Sequence, residues 1–274
     1  MARPILFGIV NITEDSFSDG GRHLDAAAAI AEARRLTAEG ADVIDLGAAA
    51  SNIAAKPVSP AEEIRRLDPV IAALRADGVQ ISIDSFSPET QRFAIGRGVD
   101  FLNDIEGFPH PEFYPDLAAS QCRLVVMHAV QGRGRAQRVA VAADAIWERI
   151  VGFFAARIAA LVAAGIDRER LILDPGMGFF LSSDAAASFR VLANLNRLKR
   201  EFGLPVLVSV SRKSFLAAAT GREAPPEARG PATLAAELQA AANGADYIRT
   251  HDPGALSDGL AVTAALAAER RAEG

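Results

Sequence analysis

The stretch DVIDLGAAASNIAAKPVSPAEEIRRLDPVIAALRADGVQISID, residues 42–84, decides the fold. It opens on a short apolar run, DVIDLG (42–47), and closes on another, VQISID (79–84). Both are rich in Ile, Val and Leu and lack the strict alternation of a half-exposed strand. They read as strands buried on two faces, as in parallel sheets. Between them, VSPAEEIRRLDPVIAAL has the period of an amphipathic helix. Ser59 stands at the N-cap, Pro60 at the first helical position, and Glu62 three residues on gives the spacing of a capping box. Strand, helix and parallel strand make a βαβ unit.

The unit repeats outward along the chain. ILFGIV (5–10) precedes it, and VDFLND (99–104), CRLVVMH (122–128), RLILDPG (170–176), LPVLVSVS (204–211) and ADYIRTH (245–251) follow, giving eight expected strands. Helical patterns lie between them. LDAAAAIAEARRLTAEG ends at Gly40, a C-cap position. SFRVLANLNRLKREFG puts Val191, Leu192, Leu195 and Leu198 on one stripe of a single helix. No composition break divides the chain, so the expected fold is α/β, a (β/α)8 TIM barrel forming one domain over residues 1–274. A doubly wound sheet is the alternative, but no G-x-G-x-x-G follows the first strand.

Composition narrows the function classes. Half of the 274 residues are hydrophobic, enough for one large core. The net charge of −5 argues against a dedicated nucleic-acid binder. The single cysteine, Cys122, excludes an internal disulfide framework and fits a reducing compartment. No run is long enough to span a bilayer. A cytoplasmic protein with small-molecule partners is expected.

In such barrels the site lies at the carboxyl ends of the strands. Those positions hold Asn11, Asp45, Asp84, Asn103 with Asp104, His128, Asp174, Ser211 to Lys213, and Arg249 with His251. Asp45 and Asp104 read as turn or cap residues. Asp84, Asn103 and Asp174 suit a flat heterocycle with amide and amino edges. Lys213, Arg249 and His251 suit a phosphate or diphosphate. Asn11 could orient an accompanying Mg2+, which takes oxygen ligands and keeps most of its waters.

The blocks GIVNITEDSFSDGG, GADVIDLGAA, ISIDSFSPET, LNDIEGF, VVMH, LILDPGMGF, VSVSRKSF and ADYIRTHDP resemble dihydropteroate synthase in order and spacing, from end to end. The resemblance implies an enzyme of folate synthesis that joins 6-hydroxymethyl-7,8-dihydropterin diphosphate to p-aminobenzoate, releasing diphosphate. It implies that Asp84, Asn103, Asp174 and Lys213 hold the pterin, with Asp174, Lys213 and Asn11 serving the chemistry. Asn11, Arg249 and His251 would receive the diphosphate, with Mg2+ at Asn11. Phe17, Ser51, Phe179, Phe180 and Ser214 would lie toward p-aminobenzoate. A homodimer is also implied, paired through the alanine-rich side after strands six to eight.

The chain departs from the family pattern in three loops. GAAASNI (47–53) replaces the usual G-G-E-S-T-R-P, so Ser51 and Asn52 stand in place of Thr-Arg. MHAVQGRG (127–134) replaces M-H-M-x-G-x-P. After D-P-G-x-G-F, Phe180 stands where glycine is usual, and LSSDAAASF is about two residues longer than usual before the helix. This combination resembles the acquired, sulfonamide-insensitive type of the family. Two rival readings share a pterin-holding barrel: a methyltransferase acting on a folate, and a non-catalytic paralogue. The SRKSF block and the Arg-x-His rim count against the first. Asn11, Asp174, Lys213, Arg249 and His251 together count against the second.

Overall fold

The computed structural model describes residues 3–12, 22–49, 57–132, 134, 136–222 and 224–272, with 22–25 and 271–272 described by backbone alone. The strands are β1 (Ile5–Asn11), β2 (Val43–Gly47), β3 (Gln80–Asp84), β4 (Phe101–Asp104), β5 (Arg123–Met127), β6 (Leu171–Asp174), β7 (Leu207–Val208) and β8 (Tyr247–Thr250). All their pairings are parallel, in the order β6-β5-β4-β3-β2-β1-β8-β7. A parallel bridge between Leu173 and Val206 joins the two ends, so the sheet is the expected barrel.

The closing strand is shorter than the apolar run 204–211 suggests. Pro205 has no N–H to give a ladder; its carbonyl accepts from Leu173 N at 2.9 Å. The next amide, Val206 N, is taken by the Asp246 carboxylate at 2.9 Å. Proline thus removes one donor from the ladder, and a side chain takes the next.

Strand alternation sorts the barrel interior into layers. Phe7, Val43, Phe101, Val125, Ile172, Leu207 and Tyr247 form an apolar cluster of their own. The rings of Phe7, Phe101 and Tyr247 meet edge to face, with centroids 5.1–6.4 Å apart. Two residues further along β2, β4, β6 and β8 stand Asp45, Asn103, Asp174 and Arg249. An apolar plug therefore closes the amino-terminal end, and the layer above it is polar.

The helices are α1 (Arg22–Ala38), α2 (Pro60–Ala76), α3 (Pro88–Gly96), α4 (Tyr114–Ala119), α5 (Ile146–Ala163), α6 (Ala185–Ala193), α7 (Asn196–Phe202), α8 (Phe215–Thr220), α9 (Gly230–Ala242) and α10 (Pro253–Ala272). Ser59 caps α2 by accepting from Glu62 N at 3.3 Å. The capping box is left half-made, because the Glu62 carboxylate pairs with Arg65 at 2.5 Å and Arg66 at 2.7 Å instead. The helix expected over 188–203 is two. Asn194 breaks it, its amide donating to Arg190 O at 2.9 Å in competition with the helix ladder. Val191, Leu192, Leu195 and Leu198 are nevertheless all buried, as their spacing predicts. Trp147, Phe154 and Cys122 lie in the main core between helices and barrel. No helix among the described residues is long and apolar enough to cross a membrane.

Candidate functional site

The polar layer is organised around Arg249. Its Nε donates to Asp45 Oδ2 at 2.5 Å, and its Nη2 donates to Asp84 Oδ2 at 2.7 Å. Burial opposes the guanidinium charge, but Asp45 and Asp84 more than offset it and hold Arg249 above its ordinary pKa. Burial pushes the Asp84 carboxyl upward, against the pull of Arg249. Asp45 is therefore no turn or cap residue. It is a fully buried counter-ion inside the barrel, its strand neighbour Val43 facing the plug.

Asp84 and Asn103 are direct partners on adjacent strands. Asn103 is buried, and its Oδ1 has no hydrogen bond among the described residues; the same holds for Asp45 Oδ1 and Ser82 Oγ. Buried polar atoms normally have partners. These three, on neighbouring strands of one interior, mark where a polar guest fits.

Asp174 ends β6, and its Oδ1 accepts from Gly176 N at 2.8 Å. The turn needs glycine: φ is +70°, and a Cβ would lie 2.4 Å from the His128 carbonyl. Burial raises the Asp174 carboxyl to about 6, opposed by Lys213 and the Gly176 amide. Lys213 donates from Nζ to Met177 O at 3.1 Å. Burial lowers its ammonium to about 8, opposed by Asp174.

Two histidines stay neutral here. His128 shares a hydrogen bond with Pro175 O through Nδ1 at 3.1 Å, and burial lowers it to about 4. His251 pairs through Nδ1 with Ser211 Oγ at 2.9 Å. Burial, with Arg212, Arg249 and Lys213 nearby, lowers it to about 3. Within the expected anion-binding set, His251 is thus a neutral hydrogen-bonding group at physiological pH, not a cation. Asp104 fits the turn reading: it accepts from Glu106 N at 2.7 Å and from Gln91 Nε2 at 2.9 Å.

At the mouth, Asn11 is exposed at the end of β1. Gly47 leaves a cradle beside it, since a Cβ there would meet Asn11 Oδ1 at 3.4 Å and Asp84 Oδ2 at 3.8 Å. A neutral oxygen over such a floor suits Mg2+ held mainly by water and a ligand's phosphates. Ser214 is exposed before α8. Phe180 packs with Ile105, Met127 and Ala136, while Phe179 is only half-buried beside them. The Lys213 ammonium lies 5.0 Å from the Phe180 ring centroid, a cation–π contact. Arg138 covers the Phe179 ring at 5.5 Å. Phe17 and Ser51 lie outside the described residues.

Ser85, Gln91 and Glu63 are polar participants that pattern reading did not single out. They act through other residues; Ser85 lies within the ISIDSFSPET block, but its residue type alone does not set it apart there.

A parallel barrel whose carboxyl-terminal mouth holds buried carboxylates, a free amide oxygen and buried cations defines an enzyme for a planar, polar, anionic small molecule. The pterin binding enzyme family matches residues 7–251. The chain is 62% identical over 262 residues to the dihydropteroate synthase type-2 of Escherichia coli, covering 96% of each. The Xanthomonas albilineans dihydropteroate synthase solved with 4-aminobenzoic acid matches at TM-score 0.88 and 40% identity, over 97% of this chain and 94% of that one. The same enzyme in complex with 7,8-dihydropteroate matches at TM-score 0.84 and 39% identity, with the same coverage. The chain belongs to the pterin binding enzyme family and is, within it, a dihydropteroate synthase, a transferase of folate synthesis.

Proposed function

We propose that the polar layer holds the pterin ring of 6-hydroxymethyl-7,8-dihydropterin diphosphate on Asp84, Asn103, Asp174 and Lys213, with its diphosphate toward Asn11, Arg249 and His251. The observation that carries this is the Arg249 clasp on Asp45 and Asp84 beside the unpartnered Asn103 Oδ1. For Asp84 to accept from the ring, Arg249 loosens its Nη2 contact and turns toward the anion. Asp45, through Nε, keeps the guanidinium in the barrel meanwhile. The pterin methylene carbon then loses diphosphate, the C–O electron pair leaving with the anion. The amine nitrogen of p-aminobenzoate supplies the pair for the new C–N bond and releases a proton. The protein's part is placement and charge: Asp174 favours the developing pterin cation, and Arg249 favours the departing anion. Mg2+, oriented by Asn11, supplies further neutralisation of the diphosphate when bound.

On the p-aminobenzoate side stand Phe17, Ser51, Ser214, Phe179 and Phe180. Phe180 and the longer loop behind it exclude the substituent that a sulfonamide carries beyond the shared aniline ring. The enzyme is accordingly sulfonamide-insensitive and confers resistance. The whole chain acts as one domain, in the cytoplasm, as a homodimer that binds neither nucleic acid nor membrane.

Purified protein given both substrates and Mg2+ is expected to release diphosphate and form 7,8-dihydropteroate, and a chelator is expected to slow it. Release no faster than without protein overturns the reading.

A further inference from the structure

Behind Asp84 and Asn103 lies a buried polar network that the reaction does not use directly. The ladder between their strands ends one rung later, where Ser85 N donates to Asn103 O at 3.1 Å. Beyond that rung the two chains part, and the amide of Gln91 takes over. Its Nε2 donates to Ser85 O at 2.6 Å on the β3 side and to Asp104 Oδ2 at 2.9 Å on the β4 side. One NH2 group therefore ties the residue after Asp84 to the residue after Asn103. The tie is anchored at both ends. Ser85 Oγ donates to Glu63 Oε2 of α2 at 2.7 Å, and Asp104 Oδ1 accepts from Glu106 N at 2.7 Å. Glu106 in turn accepts from Gly134 N at 2.5 Å, reaching the loop after β5. Gln91, Ser85, Glu63, Asp104 and Glu106 are all buried.

We propose that Gln91 is a positioning residue that sets the spacing of Asp84 and Asn103, and thereby the affinity for the pterin half of the substrate. The inference rests on the reading that these two residues hold the ring. A heterocycle bound by two rigid groups tolerates little change in their separation, so an extra rung just behind them acts on pterin affinity and spares the arylamine.

The surroundings supply a readout that mere stability does not. The charged groups around Gln91 are Asp104 at the end of β4 and Glu106 past it, Asp84 on β3, and Glu63 on α2, with Arg66 beyond Glu63 and Arg249 beyond Asp84. Asp116 of α4 is taken up by Arg92 on the outer surface at 2.8 Å. A carboxyl placed at position 91 thus faces mainly acids. Protonated, it can donate to Asp104 or Ser85 O; ionised, it repels Asp104.

The test measures the Kd for 6-hydroxymethyl-7,8-dihydropterin diphosphate by calorimetry at pH 6 and pH 8, and the KM for p-aminobenzoate at saturating pterin. Each variant is compared with wild type at the same pH, below its own Tm. Gln91→Leu should bind the pterin at least about tenfold more weakly at both pH values, with the p-aminobenzoate KM within about twofold. Gln91→Glu should lie within about threefold of wild type at pH 6 and fall at least about tenfold short at pH 8. If Gln91→Leu does not fold, the pH pair for Gln91→Glu decides. Asp84→Asn is the reference. Should Asp84→Asn bind the pterin weakly while both Gln91 variants bind like wild type, or shift both substrates in parallel, the positioning role is wrong. Should Asp84→Asn itself bind normally, the placement of the ring on Asp84 fails, and the inference with it.

Discussion

Arg249 is held by two carboxylates of unequal standing: Asp45 takes Nε inside the barrel, and Asp84 takes Nη2 nearer the mouth. Asp45 looked like a turn residue because its partner lies 204 positions along the chain, beyond any local pattern. Asp84, Asn103 and Asp174 were legible because each ends an apolar run where a barrel keeps its site. The acids should therefore fail differently. On the proposed placement Asp174→Asn removes the charge opposite the pterin cation, and it is expected to cost at least about tenfold in kcat, about 1.4 kcal/mol of barrier. Asp45→Asn frees Arg249 at one end and should raise the KM for the pterin diphosphate more than it lowers kcat. Steady-state kinetics showing equal kcat losses would contradict that division. The pH profile follows from the same groups. Asp174, raised to about 6, loses its charge as pH falls through that value, and Lys213, lowered to about 8, loses its charge as pH rises. The kcat/KM should peak on the alkaline side of Asp174, and because Asp84 is raised to about 7 and titrates on the same side, Asp174→Asn should soften the acid limb without abolishing it while keeping the basic one. His251→Gln should leave both limbs in place, because His251 is neutral across the range.

At the level of elements, all eight strands could be read from apolar runs, because burial on both faces dictates Ile, Val and Leu. Their ends were less legible where a side chain displaces a backbone partner, as Asp246 does at Val206 and Asn194 does in the broken helix. The loop after β6 combines both situations. Phe179 and Phe180 announce an unusual loop, but only the fold shows that Phe180, 9% exposed, fills a pocket between the loops after β4 and β5. Its carbonyl also accepts from Val130 N at 2.9 Å, tying two loops together. Phe180→Gly is expected to restore sulfonamide inhibition with turnover within about an order of magnitude, since what the pterin groups lose is the Lys213 cation–π contact, worth about 0.5–1 kcal/mol. It should also lower the Tm, because a buried ring is lost. A variant shortened by two residues in 181–189 is the companion, testing whether backbone or ring does the excluding. The sulfonamide inhibition constant, set against the KM for p-aminobenzoate, decides. If both constants move in parallel, the loop is not a selective gate.

Across the molecule, nearly all large apolar side chains among the described residues are covered, and three stand out as exposed. Val262 and Leu266 on α10 are 61% and 57% exposed, and Val162 on α5 is 41% exposed. Val262 and Leu266 are four residues apart, so they share one face of the helix, among alanines at 261, 264, 265 and 268. Small residues let a second helix approach closely, and two large apolar residues per copy give it something to grip. The proposed homodimer would pair α10 with its symmetry mate, each contact occurring twice. Burying an exposed leucine is worth about 1.5–3 kcal/mol, so removing two related copies at once weakens a dimer by a factor of at least about a hundred. Leu266→Glu goes further, because it sets two like charges against each other across the axis. Light scattering coupled to size exclusion is expected to show a dimer for wild type and a monomer for Leu266→Glu. The barrel's polar layer is built from strands within one chain, so the monomer should retain activity in dilute assays. A wild type that stays monomeric at high concentration, or a Leu266→Glu variant that stays dimeric, would move the interface elsewhere.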